Sequence, residues 1–452
     1  MSQIGNKSFW LVLAVLVGLD LGKHLLIILM GLPSISLDAI QYWEMGKLVS
    51  AGDPFLLGLR VDYRTPAYAW FLSVFQLTMG NYALAAIVLA QHLAMLLSSF
   101  GTAFLCGWLT ASRGAFLAAY ALSVACITRA WYANVLLSET LFTFALVLLW
   151  FAWLGYLRRP TAMAAALVGI VLAASVWIRA VPQLLYVPLI AAMILQALLQ
   201  KEKLSRYLGH ALVMLAVYAC VIAPWYIRNS QLYGKPFLTR LPAVNKWEVC
   251  FQDSSGGNLP LPKTPNAARL LSIIQPEGGE LKDRYCYSVV RRLEAGGLGA
   301  DEIDQLVSDV CWSGIREYPR QFLWSAFKRF GNFWRCTLNP YPSYGDHTVY
   351  YDGQFHWRNE SVASMIEPIL NNSLSRFLRW NEIVLAMISL GFFGLLRYQS
   401  SRMIGISCVL IFAYFAAVTA AAEIENFRYR MILEPATITV VVIGLRGILR
   451  KQ

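Results

Sequence analysis

The chain opens on a run of apolar residues, FWLVLAVLVGLDLGKHLLIILM, long enough to cross a bilayer, and the same pattern then recurs along its length. Ten segments of this kind are predicted to span a membrane as helices: 9–30, 82–109, 113–130, 136–156, 161–177, 181–199, 207–227, 377–396, 402–421 and 431–448. The first run has no small-residue cleavage signature, so it reads as a retained helix rather than a signal peptide. A long, more polar stretch separates the early spans from the late ones. The pattern therefore divides the chain into an N-terminal membrane module at 1–230, an inserted domain at 231–375 and a C-terminal membrane module at 376–452.

The polar positions between spans set the orientation. Arg113, the pair Arg158 and Arg159, the group Lys201, Lys203 and Arg206, and the pair Arg397 and Arg402 occupy alternate connections, and the tail adds Arg446, Arg450 and Lys451. Basic short loops stay in the cytoplasm, which puts the N-terminus there too. Residues 31–81 then form a first outer loop, 229–375 a large outer domain, and Glu423–Arg430 an outer turn. Within the first loop, residues 37–49 read as a helix with Ser36 as its cap and Asp38 in its first turn, where the helix dipole favours a carboxylate. Ala51-Gly52-Asp53-Pro54 stops it. PAYAWFLSVFQLTMG, residues 66–80, is apolar but short, and reads as a helix along the outer leaflet with Pro66 in its first turn. In the outer domain, 280–295 and 301–317 have helical periodicity, the second strengthened by Asp301 and Glu302 at its start. KRFGNFWR, residues 328–335, reads as a basic aromatic helix on the membrane surface. The fold class is thus an all-α polytopic membrane protein with surface helices and a mainly helical outer insertion.

Composition agrees. Hydrophobic residues make up 58% of the chain and charged ones 14%, against about 25% charged in average globular domains. The net charge of +12 does not point to nucleic acid, because residues 229–375 carry 15 basic and 15 acidic side chains. All the excess lies in the hydrophobic portion, as the loop asymmetry requires. Cys106, Cys126, Cys220 and Cys408 lie in spans and read as small apolar residues. Cys250, Cys286, Cys311 and Cys336 lie in the outer domain, where an oxidising compartment favours two disulfides in any of three pairings, with free thiols as the alternative. Motifs for nucleotide binding or zinc peptidase chemistry are missing from the sequence. His347 and His356, near Asp346, Asp352 and Glu360, lack a diagnostic metal spacing.

Two groups of charges ask for more than solubility. Asp38 and Asp62 each adjoin aromatic residues at a membrane face, where a carboxylate within hydrogen-bonding reach accepts a proton from an attacking hydroxyl. Asp53, beside Pro54, reads as solubilising. At the other end of the chain ENFRYR packs Glu425, Arg428, Tyr429 and Arg430 into one outer turn, with Glu423 just before it and Glu434 a turn inside the last span. Two arginines around a tyrosine suit a phosphate clamp, and a buried Glu434 needs a partner such as Arg430. Arg64, Arg129, Arg179 and Arg228 lie at other outer ends, giving outward positive charge that a phosphate ligand or lipid headgroups would match.

Several pieces, in order, resemble polyprenyl-phosphate-dependent membrane glycosyltransferases of the GT-C fold, in particular the bacterial group related to protein O-mannosyltransferases and the lipid A aminoarabinose transferase. They are LDAIQYWEMGKLVSAGDPF (37–55), DYRTPAYAWFLSVFQLTMG (62–80), NVLLSETLFTFALVLL (134–149), APWYIRNSQLYGKPF (223–237) and ENFRYRMILEP (425–435). The resemblance implies a sugar donor linked through phosphate to a long polyprenol at the extracytoplasmic leaflet of the plasma (inner) membrane, with the active site facing the periplasm or cell exterior. It implies Asp38 as the essential acid, Asp62 as a second acidic position, and Arg428, Tyr429, Arg430 and Arg228 around the donor phosphate. Arg64, Glu139, Glu425 and Glu434 would support them. Arg64-Thr65-Pro66 departs from the doubled proline of many relatives. Some members bind a divalent metal ion near the acids, and the resemblance leaves metal use here open. The expected reaction is inverting transfer to a hydroxyl on a lipid, glycan or protein, with membrane lipids as partners and no nucleic acid. A polyprenol-lipid transporter and a non-catalytic envelope scaffold are the competing classes.

Overall fold

The computed structural model describes residues 6–35, 38–59, 61–253, 256–278, 281–335, 355–370, 381–423 and 427–449. The chain divides into two compact units. One is built from Met1–Leu238, Thr337–Phe412 and Arg430–Gln452, and the other from Thr239–Cys336 and Ala413–Tyr429.

The first stretch of chain forms α1 (Asn6–Met30), β1 (Gly31–Pro33), α2 (Asp38–Ser50), α3 (Ala67–Met79), α4 (Ala83–Thr110), α5 (Arg113–Ala125) and α6 (Ile127–Tyr132). It continues as α7 (Glu139–Arg158), α8 (Ala162–Ile178), α9 (Tyr186–Gln200) and α10 (Leu204–Tyr233). Next come α11 (Ala243–Phe251), α12 (Pro265–Ile274), α13 (Cys286–Ala295), α14 (Ala300–Glu317) and α15 (Pro319–Arg335). The rest is β2 (Phe355–Arg358), α16 (Glu360–Leu370), α17 (Asn381–Arg397), α18 (Gln399–Ala422), α19 (Phe427–Met431) and α20 (Glu434–Leu449).

Helices lie in the segments predicted to span, with 113–130 divided at Cys126 into α5 and α6 and residues 377–380 outside the described residues. Among the described residues six stretches are long and apolar enough to cross a membrane: Lys7–Met30, Ala67–Thr110, Glu139–Arg158, Val181–Gln200, Leu204–Tyr233 and Ser401–Ala422. Arg113–Ala125, Ala162–Ile178 and Val384–Arg397 are apolar but shorter. Ala67–Thr110 runs to 44 residues, about twice what one crossing needs, and Gly80 breaks it with a positive φ of 51°. The 28-residue α4 beyond that break suffices alone.

Close approach between late helices comes from glycine. A Cβ on Gly391 would press on the Val440 carbonyl, and one on Gly394 on the Gly444 carbonyl, so α17 and α20 cross backbone to backbone. Small residues at a crossing are how helices gain contact where no hydrophobic effect drives them together.

Polar side chains hold α1. Lys23 pairs with Asp20 at 2.7 Å and donates to the carbonyl of Val124 at the end of α5. His24 Nδ1 meets His92 Nδ1 of α4 at 2.6 Å, and His92 Nε2 lies 3.4 Å from Asn134 Oδ1. Asn134 donates to the Gly31 carbonyl. Asp20, His24, His92 and Asn134 are all buried. Within apolar helices such contacts each contribute about 0.6–2 kcal/mol to association.

Two findings depart from the sequence boundaries. β1 pairs antiparallel with β2, Gly31 opposite Arg358, and the Asn359 amide donates to the Met30 carbonyl. Residues 355–370, inside the limits read for the outer insertion, therefore belong with the end of α1. The second concerns residues 128–140, read as a span end, a short outer connection and the start of the next span. All thirteen are buried, and 133–138 is irregular. Gln91 of α4 makes this possible, its amide donating to the carbonyls of Ala133 and Val135 while Thr140 Oγ1 donates to that of Tyr132. Buried irregular backbone needs such partners.

The second unit packs α11, α12, α13 and α14 around Trp247, Phe251, Leu270, Leu293 and Val307. Thr264 caps α12, its Oγ1 accepting the Ala267 amide, and Pro265 follows at the first helical position. Lys246 of α11 reaches Asp304 of α14 at 2.6 Å. Arg329 of α15 donates to the Ala420 carbonyl at 2.8 Å. Cys250, Cys286 and Cys311 are free thiols filling this core, with Cys250 and Cys311 side by side, so the favoured disulfides do not form among them. Cys336, His347, Asp346 and Asp352 lie outside the described residues.

Candidate functional site

The first outer loop folds as two helices packed on each other. Gly46 of α2 faces Leu72 and Gln76 of α3, Gln76 Nε2 donates to the Trp43 carbonyl, and Ser50 Oγ donates to the Gly46 carbonyl. α2 begins at Asp38, so that carboxylate stands at the positive end of the helix. Gln41 and Tyr42, three and four residues on, share its face.

Arg64 enters this face. Its Nη2 lies 2.7 Å from Asp38 Oδ1 and its Nε donates to Gln41 Oε1 at 3.0 Å. The guanidinium carbon sits 4.2 Å from the centre of the Tyr42 ring and 5.4 Å from that of Tyr63. Burial pulls Arg64 down, but Tyr42 and Asp38 more than reverse it, so the guanidinium stays charged. Burial pushes the Tyr63 phenol up, against the pull of Arg64, which keeps it protonated.

Behind α2 lies the end of the buried segment. Tyr42 donates to Ser138 Oγ at 3.2 Å, and Arg179 donates to the same oxygen at 3.3 Å. Arg179 also pairs with Glu139 at 2.6 Å. The Tyr42 ring packs edge-on against Tyr68, whose hydroxyl donates to Gln91 Oε1. Asp38, Arg64, Tyr42, Ser138, Arg179 and Glu139 thus form one run of contacts, and Tyr68 joins it to Gln91.

The other end of the buried segment carries Arg129. Its Nε lies 3.9 Å from Glu434 Oε2 at the start of α20, and Arg430 adds a second positive charge near that carboxylate. Glu434, Arg129 and Arg430 are all buried. Arg428 is buried as well, its guanidinium 5.8 Å from the Tyr429 ring. Glu425 lies outside the described residues.

Arg228 is engaged elsewhere. Its Nε donates to the Phe55 carbonyl, Nη1 to Val61 and to Asn229 Oδ1, and Nη2 to the carbonyls of Leu56 and Leu59. Those five bonds use every donor a guanidinium has. Asn229 donates to the Phe237 and Leu238 carbonyls. The Arg-Asn pair therefore ties the 53–61 loop and the 237–238 turn to the end of α10, and Arg228 has no donor left for phosphate. Asp53 shapes the same loop, accepting the Leu57 and Gly58 amides at 2.8 Å each. Asp62 and Asp53 are both electrostatic neighbours of Arg228, whereas Asp38 belongs to Arg64.

The donors around the acids do not fit a divalent metal. Among the described residues no group of three or more His, Cys, Asp or Glu side chains is placed to hold an ion, and Arg64 already lies on Asp38. A hard cation such as Mg²⁺ binds through one or two carboxylates besides water and phosphate, and the Asp38 Oδ1 that would serve it is already engaged by Arg64.

Asp20, Lys23, His24, Gln91 and His92 are polar side chains placed inside apolar helices. A visible signal exists: polar residues inside apolar spans are costly and need partners.

No protein-family model matches the chain, and no curated protein matches it. Among solved structures it is similar to the archaeal oligosaccharyltransferase AglB from Archaeoglobus fulgidus, a structure in complex with an inhibitory peptide and a dolichol-phosphate. The identity is 11% and the TM-score 0.45, over 96% of this chain and 50% of the archaeal one, so this chain spans about half the length of that protein.

Proposed function

We propose that this protein is a membrane glycosyltransferase that moves a sugar from a polyprenyl-phosphate donor to a hydroxyl on a lipid, glycan or protein, with inversion at the sugar. The observation that carries this reading is the placement of Asp38. It stands at the N-terminus of a loop helix, paired with Arg64 and braced by Tyr42 against Ser138.

In the proposed reaction Asp38 takes the proton of the acceptor hydroxyl as its oxygen attacks the anomeric carbon. The bond from that carbon to the phosphate oxygen breaks on the opposite face, and polyprenyl phosphate leaves with the electron pair. Arg428 and Arg430 are assigned to that phosphate, with Tyr429 beside them, because arginine suits its geometry and charge. Glu434 pairs with Arg129 and is assigned to offset the charge of Arg430, and Glu139 holds Arg179, so both acids act as supports. Asp62 is the second acid of the loop. Phosphate leaves readily, so no separate general acid is required. The setting is the extracytoplasmic face of the plasma membrane, in envelope biogenesis.

The test is transfer from a radiolabelled polyprenyl-phosphate sugar by the full-length protein in lipid, with acceptors taken from the envelope fractions that lose a sugar when the gene is deleted. Asp38→Asn should fold normally and lose at least about a hundredfold in rate, the usual worth of a positioned base. Arg430→Ala should weaken donor binding instead. Full transfer by Asp38→Asn would remove the acid from the mechanism. Movement of labelled lipid across the bilayer without sugar transfer would establish the transporter reading.

A further inference from the structure

The cation beside Asp38 is part of the protein. Its side chain is 11% exposed while that of Asp38 is 35% exposed, so the guanidinium lies deeper than the carboxylate it serves. Four groups fix it: Asp38 and Gln41 accept its hydrogen bonds, and the Tyr42 and Tyr63 rings lie 4.2 and 5.4 Å from its central carbon. Three of the four come from a single turn of α2, at Asp38, Gln41 and Tyr42, which helical spacing puts on one face. That turn is a cradle for a planar cation. Lysine would not fill it, having neither the plane nor the fork.

We infer that Arg64 is the resident counter-cation of Asp38, standing where an exchangeable divalent metal would otherwise sit. The role in transfer rests on the functional reading above; the identity of the cation rests on geometry alone. A metal within bonding distance of Asp38, roughly 2.0–2.6 Å, would lie only a few ångströms from a guanidinium that is itself 2.7 Å from Oδ1. Two positive ions repel at that spacing. Arg64 does part of a metal's work: it offsets the charge of Asp38, so an anionic phosphate can approach, and it fixes the carboxylate's orientation. It is a positioning residue. Because a guanidinium stays protonated at all ordinary pH, this cation is neither loaded nor lost.

The experiment uses the full-length protein in lipid nanodiscs and Mn²⁺ alone as probe, followed by electron paramagnetic resonance. The wild type should show no Mn²⁺ binding that Asp38→Asn abolishes. Arg64→Gln should open the position and bind Mn²⁺ at least tenfold more tightly than wild type, and adding Asp38→Asn to that variant should remove the gain. Asp38-dependent Mn²⁺ binding by the wild type would overturn the inference without needing any Arg64 variant to fold. A folded Arg64→Gln protein that gains no Mn²⁺ would overturn it too. No sugar donor enters these titrations. If the protein transfers no sugar at all, the functional reading falls while the result on the cation stands. Where transfer is measurable, a chelator should leave the wild-type rate unchanged.

Discussion

Arg228 shows how much one side chain can decide. A guanidinium in the last turns of a long apolar helix reads as a candidate anion ligand, yet its five donors all close on protein oxygens. Four of the acceptors are carbonyls of the 53–61 loop, a stretch with few ladder bonds of its own. Arg228→Lys keeps the charge but has three donors and no fork, so at least two of these five hydrogen bonds are lost. We expect a loss of about 2–4 kcal/mol, read as a lower unfolding midpoint in detergent, with earlier proteolytic cleavage between residues 55 and 61. An unchanged midpoint would mean that the loop is held by other contacts.

At the scale of elements, the buried stretch 128–140 links the two polar clusters. It presents Arg129 to Glu434 at one end and Ser138 and Glu139 to Tyr42 and Arg179 at the other. Its irregular part persists because Gln91 supplies what a helix would have supplied internally. Gln91→Leu keeps the volume but strands two carbonyls, at about 1–3 kcal/mol each, and takes the acceptor from Tyr68. The expected result is a destabilised bundle and faster amide exchange at 133–138 by mass spectrometry, with the proposed sugar transfer reduced because Tyr42 and Ser138 lose their bracing. Native exchange rates in that segment would refute the assignment.

At the scale of the whole molecule, the two units rest on different physics. One gains contact from backbone-close glycines and polar pairs between apolar helices, the other from a water-excluded core of Trp247, Phe251 and their neighbours. Thiols belong to that core. Burial, helped by Glu248, pushes Cys286 up to about 12 from an ordinary value of 9.0. The unfolded thiol ionises from about pH 9, and the folded one only near 12. Stability tied to this neutral thiol is therefore full below pH 9 and declines as pH rises toward 12. Alkylation of Cys286 at pH 8, followed by mass spectrometry, should proceed only as fast as this unit opens. Rapid labelling of the folded protein would contradict its burial.

Chain pattern alone made the class, the helix positions and the first-loop helices legible. Apolar run length is a local property, and so is the stop at Ala51-Gly52-Asp53-Pro54; α2 and α3 appear where periodicity and Pro66 put them. Asp38 as the first-turn acid was legible for the same reason. Partners were not. Nothing in RN at the end of a span says that its donors close on residues some 170 positions earlier, nor that Gln91 feeds a loop 42 residues later. The same holds for the cysteines, whose count allowed disulfides but whose burial as thiols is a matter of packing. Propensity and hydropathy act between neighbours in sequence, and so they fix which segments become helices. Hydrogen bonds and charges saturate: a donor given to one partner is gone for every other, and only the folded chain decides who is near enough to claim it.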